Sequence, residues 1–141
     1  MPDKAFLDTN IIIYMYSADD EGKRICASEL LNSYTCVTSL QVMNEACNVW
    51  IKKFLWDENK INEHLDNIKV ICDDIIPIHI ETIEKALDLN SKYGYSYYDC
   101  LMLASALEYE CQIIFTEDMK DGQLINSSLK IKNPFVRERS H

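Results

Sequence analysis

Apolar residues in this chain fall into short blocks of two kinds, and their alternation predicts a fold. Compact blocks rich in Ile, Val and Phe read as buried strands over residues 4–7, 34–37, 75–78, 113–115 and 129–131. Pro77 puts the third of these at a sheet edge or makes it irregular. Between the strands, apolar positions recur at helical spacing. Residues 23–31 carry Ile25, Ala27, Leu30 and Leu31, and residues 57–70 carry Ile61, Leu65 and Ile68 behind an Asp57 cap. Thr38, with Gln41 three residues on, has the form of a capping box opening a helix to Phe54. Residues 81–93 stop at Gly94, a C-terminal cap, and Ser96 then starts a strongly apolar helix over 97–109. Strands alternating with helices predict an α/β fold, a three-layer α/β/α sandwich around a mostly parallel sheet. No linker or repeat interrupts it, so one domain over residues 1–138 is expected. The closing Arg139-Ser140-His141 has the look of a tag remnant.

Composition narrows the class. A chain of 141 residues can bury a sizeable core, and only three glycines and three prolines argue against an all-β hairpin architecture. The apolar runs are too short to span a membrane, and Asp3, Lys4 and Asp8 break any N-terminal signal, so a cytoplasmic protein is expected. The six cysteines show no C-x-x-C pairing and sit in apolar segments, as reduced core residues do. The three histidines lack ligand spacing to them, which argues against zinc. A net charge of −9 disfavours tight, metal-free nucleic-acid binding, but is compatible with a carboxylate site that a cation neutralises.

Four acids stand where carboxylates need a reason to be. Asp8 ends the first strand, a favoured position for ligand chemistry in parallel sheets, although capping the next helix would also explain it. Glu45 has Val42 and Val49 as neighbours one turn away, so it borders a buried face. Asp99 follows Ser96 by three residues at the head of an apolar helix, where the helix dipole favours negative charge. Asp118 follows the strand 113–115, with Glu117 and Asp121 as competitors for its role. Two carboxylates about 4 Å apart repel by about 4 kcal/mol at an effective dielectric of 20. A gathered set would raise its own pKa values or bind a cation, and oxygen-only donors select Mg²⁺ or Mn²⁺.

In order and spacing, Leu7-Asp8-Thr9-Asn10-Ile11-Ile12, Ser39-Leu40-Gln41-Val42-Met43-Asn44-Glu45, Asp99 heading Cys100 to Ala106, and Phe115-Thr116-Glu117-Asp118 resemble the motifs of PIN-domain ribonucleases. The likeness is to VapC-type toxins of toxin–antitoxin pairs, and it spans nearly the whole chain. It implies a Mg²⁺-dependent endoribonuclease, with Mn²⁺ as a substitute, leaving 5′-phosphate and 3′-hydroxyl ends. Asp8 and Asp99 would then ligate metal directly, with Glu45 and Asp118 ligating a second ion or positioning water. Thr9, Asn10 and Thr116 would orient the acids by hydrogen bonds. The resemblance further implies a cognate antitoxin and a homodimer. The aromatic residue often found after the last Asp of the family is replaced by Asp121-Gly122, so Asp118 and Asp121 both stand as the fourth acid.

Other readings make distinct predictions. A catalytically silent PIN-like module for protein or RNA binding would retain the fold without binding metal. A dehalogenase-type phosphatase would use Asp8 as nucleophile, but Asn10 replaces its second Asp. Lys23-Arg24 and Lys52-Lys53 are the basic pairs near the site elements, and solvated helix faces are the plainer reading of each. Tyr93, Tyr95, Tyr97 and Tyr98 crowd the approach to Asp99, where they can stack on bases or simply pack.

Overall fold

Strand β1 (Lys4–Leu7) lies at the centre of a six-stranded sheet, paired in parallel with β2 (Thr35–Ser39) on one side and β4 (Ile113–Phe115) on the other. The computed structural model describes residues 2–136, so the suggested tag remnant at 139–141 lies outside the described residues. Strand β3 (Asp74–Ile76) closes one edge beside β2. Strand β6 (Leu129–Lys132) pairs in parallel with β4, and the short β5 (Leu124–Ile125) adds the one antiparallel pairing at the other edge. The sheet order is therefore β3-β2-β1-β4-β6-β5.

Six helices fill the crossovers: α1 (Thr9–Met15), α2 (Glu21–Ser33), α3 (Leu40–Lys52), α4 (Glu58–Ile71), α5 (Ile80–Tyr93) and α6 (Tyr97–Glu108). Parallel crossovers are right-handed because a right-twisted strand feeding a helix packs back only that way. The chain moves from β1 to β2 to β3 in one direction, which puts α1–α4 on one face. It then jumps back past β1 to β4, which puts α5 and α6 on the other. The contacts α1 with α2 and α3, and α5 with α6, agree with this division. The expected mostly parallel α/β sandwich is thus observed.

The core explains the strands. Ala5, Phe6 and Leu7 are fully buried, as are Val37, Ile76 and Ile114, because a parallel sheet covered on both faces wants continuous apolar strands. Helix α6 is buried almost all round from Cys100 to Ala106. All six cysteines are free thiols, four of them buried; desolvation raises the pKa of each, to about 12 for Cys72 and Cys111. Among the described residues, no helix is long and apolar enough to cross a membrane.

One local expectation needs correction. Thr38 does not cap α3: it is still in β2, and its hydroxyl donates to the Leu7 carbonyl at 2.9 Å. Ser39 is the cap, accepting from the Val42 amide. Pro77 lies just beyond β3, which ends at Ile76 on the sheet edge where a missing donor costs nothing. Strand β5 had no expected counterpart.

Candidate active site

The strand order reverses between β1 and β4, since β1 leads off to β2 while β4 returns on its other side. In such sheets the crossovers diverge at this point and leave a crevice beyond the carboxyl ends of the strands. A cleft of about 310 Å³ opens there, lined by Asp8, Glu45, Asp99 and Asp118 with Thr9, Asn10 and Asn48. The four acids singled out from the sequence therefore meet in one place.

Asp8 is held most firmly. Its amide continues the sheet by donating to the Phe115 carbonyl at 3.1 Å, and its carbonyl accepts the first turn of α1. Its carboxylate accepts from the Thr9 amide at 2.5 Å and from the Thr116 hydroxyl at 2.6 Å. Capping and site geometry are thus one arrangement rather than alternatives. Asp8 is only 2% exposed, and desolvation lifts its pKa to about 6 despite the two hydrogen bonds that lower it. The negative charges of Asp118 and Asp99 push it further in the same direction.

The other acids are positioned by neighbours from different elements. The Thr9 hydroxyl donates to Glu45 on α3 at 2.7 Å. The Asn10 amide donates to Asp118 at 3.2 Å. Thr116 bridges two acids, giving its proton to Asp8 and accepting from the Asp118 amide at 3.1 Å. Asp99 stands in the first turn of α6, its backbone amide capped by Ser96. Asp118 also has a raised pKa, first from partial desolvation, then from Asp99 and Glu117. Among the described residues none of the four carboxylates has a cationic partner.

Asp121 and Glu117 drop out of the cleft for visible reasons. Asp121 accepts from the Asn133 amide at 2.8 Å, tying a turn to the end of β6. Glu117 is held by Lys23 at 2.9 Å and by the Tyr14 hydroxyl at 2.8 Å. This also removes Lys23 from the candidate substrate contacts. The tyrosine cluster is largely structural: Tyr93 bonds to Asn126 and Tyr95 to Gln123, which pins the turn before α6 onto the β5–β6 hairpin. Tyr98 alone is broadly exposed, beside a more apolar groove over Gln41, Asn44 and Leu101 that shares Glu45 and Asn48 with the cleft. Asn48 was missed in the sequence, although it lies one helical turn after Glu45 and so on the same face.

The donor set suits a hard divalent cation, being carboxylate and amide oxygen only. Among the described residues no three His, Cys, Asp or Glu side chains are arranged to hold one ion directly. Mg²⁺ fits such a site, because it keeps several waters and takes one or two carboxylates rather than a full protein cage. Asp8 at the end of β1 and Asp99 in the first turn of α6 both line the cleft, and water can fill the remaining positions.

A family model described as the PIN domain matches residues 5–120. The chain belongs to the PIN-domain family. The resemblance carried by the four acidic motifs is borne out by that match. Solved structures share the fold of this PIN domain at low identity. One is a toxin–antitoxin complex from Klebsiella pneumoniae, 22% identical with a TM-score of 0.72, covering 93% of this chain and 98% of its own. Another is VapBC2 from Rickettsia felis bound to a DNA fragment from its promoter, at 18%, 0.67, 92% and 98%. A third is Mycobacterium tuberculosis VapC20, a sarcin-ricin loop cleaving toxin, at 16%, 0.62, 78% and 86%. No curated protein matches the chain by sequence.

Proposed function

We propose that this PIN domain is a Mg²⁺-dependent endoribonuclease, with Mn²⁺ as a substitute ion, and that it is the toxin of a cytoplasmic toxin–antitoxin pair. The observation that carries the reading is the meeting of Asp8, Glu45, Asp99 and Asp118, with no cationic partner among the described residues, in one cleft at the sheet's switch point. PIN domains are generally nucleases, and the likeness to a toxin that cleaves the sarcin-ricin loop supports RNA as substrate. The toxin–antitoxin neighbours support a protein antitoxin as partner. The apolar groove lined by Ile78, Leu101 and the exposed Tyr98 supports a homodimer.

In this reading Asp8 and Asp99 hold the ion, and Glu45 and Asp118 take a second ion or hold the attacking water. The ion would lower the pKa of that water and offset charge on the cleaved phosphate. Thr116 keeps Asp8 and Asp118 in register, and Thr9 does the same for Glu45. Burial of Asp8 makes it a poor resting place for an uncompensated charge, so the folded apo-site favours cation uptake.

The direct test is cleavage of RNA by the purified chain with Mg²⁺, with EDTA, and in the Asp8→Asn variant. The reading expects Mg²⁺-dependent products with 5′-phosphate ends that vanish in the other two arms. Full activity in Asp8→Asn would sink it.

A further inference from the structure

Helices α1 and α3 both run away from the acidic cleft, and their far ends frame a second recess of about 390 Å³. Its walls include Tyr16 at the end of α1, Lys53 and Phe54 at the end of α3, Trp56 in the following turn and Lys60 on α4, with Asp19 at one side. The aromatic wall is pre-built. Trp56 stacks on the buried Trp50 at 5.2 Å and 19°, and Phe54 meets its edge at 5.5 Å. Leu55 between them has φ +56°, a left-handed conformation that costs a non-glycine residue roughly 1–2 kcal/mol. That turn folds Trp56 back, its amide donating to the Trp50 carbonyl at 3.0 Å.

The charge of the recess is unlike that of the chain. The protein carries a net −9, yet two ammonium groups face one carboxylate here. Among the described residues neither Lys53 nor Lys60 is ion-paired, and Lys60 sits over the Trp56 ring at 4.5 Å. An unpaired pair of cations beside aromatic rings suits a phosphate backbone with unstacked bases.

Position identifies the occupant. Eight residues of helix separate Glu45 in the cleft from Lys53 in the recess, about 12 Å at ~1.5 Å per residue. That is at most three or four nucleotides at ~3.4 Å per step of a stacked strand, and fewer where bases are unstacked. A strand with its cleaved phosphate at the acids passes directly over Val49, which lines the cleft one turn before Lys53.

We propose that this recess is a subsite for single-stranded RNA flanking the cleaved bond, in which Lys53 and Lys60 hold phosphates and the Phe54–Trp56 wall packs a base. Asp19 supplies an acceptor for a 2′-hydroxyl or a base amino group. The inference rests on the ribonuclease reading and adds to it the track that positions substrate.

The test uses the full chain with Asp8→Asn, to stop turnover, and a single-stranded RNA dodecamer of mixed sequence. RNA should change tryptophan emission, and Trp56→Phe should remove most of that change while the buried Trp50 remains. Replacing both lysines (Lys53→Gln, Lys60→Gln) should flatten the slope of log affinity against log salt by about 1.4, since each single-strand phosphate contact contributes about 0.7. In the otherwise wild-type chain the same pair should raise KM for RNA about tenfold, while Lys85→Gln on α5 leaves it alone. Circular dichroism confirms folding of each variant. An unchanged slope and KM would overturn the subsite while leaving the ribonuclease reading intact. A lysine-dependent slope without cleavage in any divalent metal would show RNA binding in the recess but overturn both the nuclease and a subsite flanking a cleaved bond. If an oligoglutamate peptide changes Trp56 emission and RNA does not, the recess is a protein-docking site and the proposal fails.

Discussion

The two ends of the central strands are built on opposite rules. At the amino ends of β1 and β4 a charged group finds neutral partners: Lys4 donates through Nζ to the Tyr109 carbonyl at 3.0 Å and through its amide to Gln112 at 2.6 Å. At the carboxyl ends, a few residues away, four carboxylates crowd together with no cationic partner among the described residues. The contrast narrows to a single peptide bond in the loop after β4. Glu117 has Lys23 and Tyr14, whereas among the described residues the Asp118 carboxylate has only the Asn10 amide. One end closes the sheet, and the other keeps an electrostatic debt that stability alone would remove. Proteins break local consistency in this way at functional sites.

That comparison is broken most severely by Asp99→Asn. It should cost about a thousandfold in RNA cleavage, equivalent to about 4 kcal/mol of transition-state stabilisation, while the melting temperature does not fall. Retained cleavage would mean that Asp99 is only a helix-start residue.

Asp8→Asn should separate stability from activity. The folded-state pKa of Asp8 lies at about 6, above its ordinary 3.8, so the folded chain holds this proton more tightly than the unfolded one. The contribution of Asp8 to stability is therefore greatest below about pH 4, falls as pH rises towards 6 and is level above that. In metal-free buffer the variant should lack the fall in stability between pH 4 and 6, read by urea denaturation of both proteins across that range. An equal fall in the variant would show that the proton is bound elsewhere than at Asp8.

Thr116→Val removes the hydroxyl that joins Asp8 to the Asp118 backbone. Cleavage should drop by about 10–100-fold, the usual cost of losing a group that orients metal ligands. At the other end, Lys4→Met should cost about 1 kcal/mol in stability and leave cleavage unchanged, which a matched pair of melting and cleavage curves would check.

How legible this was depended on how local each cause is. Asp8 and Asp99 stood out because a charge beside a buried apolar run is visible in the sequence itself. The choice between Asp118 and Asp121 was not local, since it turns on Asn133, twelve residues away, claiming the Asp121 carboxylate. Thr38 looked like a cap because its cross-strand bond to Leu7 exists only once β1 and β2 pair. Strand β5 is two residues long and gains its register from Asn126 and Ser127, both at positive φ, a turn signal weaker than Asn-Gly. The lysine–aromatic recess needed the α3–α4 turn at Leu55, which spacing does not announce.

The most direct test of one shared cation site is Mn²⁺ binding by calorimetry at pH 7.5, in the wild-type chain and in Asp8→Asn and Asp99→Asn. Saturable binding in the wild type, weakened at least about tenfold in each variant, is the expected result for removing a direct ligand. Equal Mn²⁺ binding in all three proteins, or RNA cleavage undiminished in EDTA, would contradict the account.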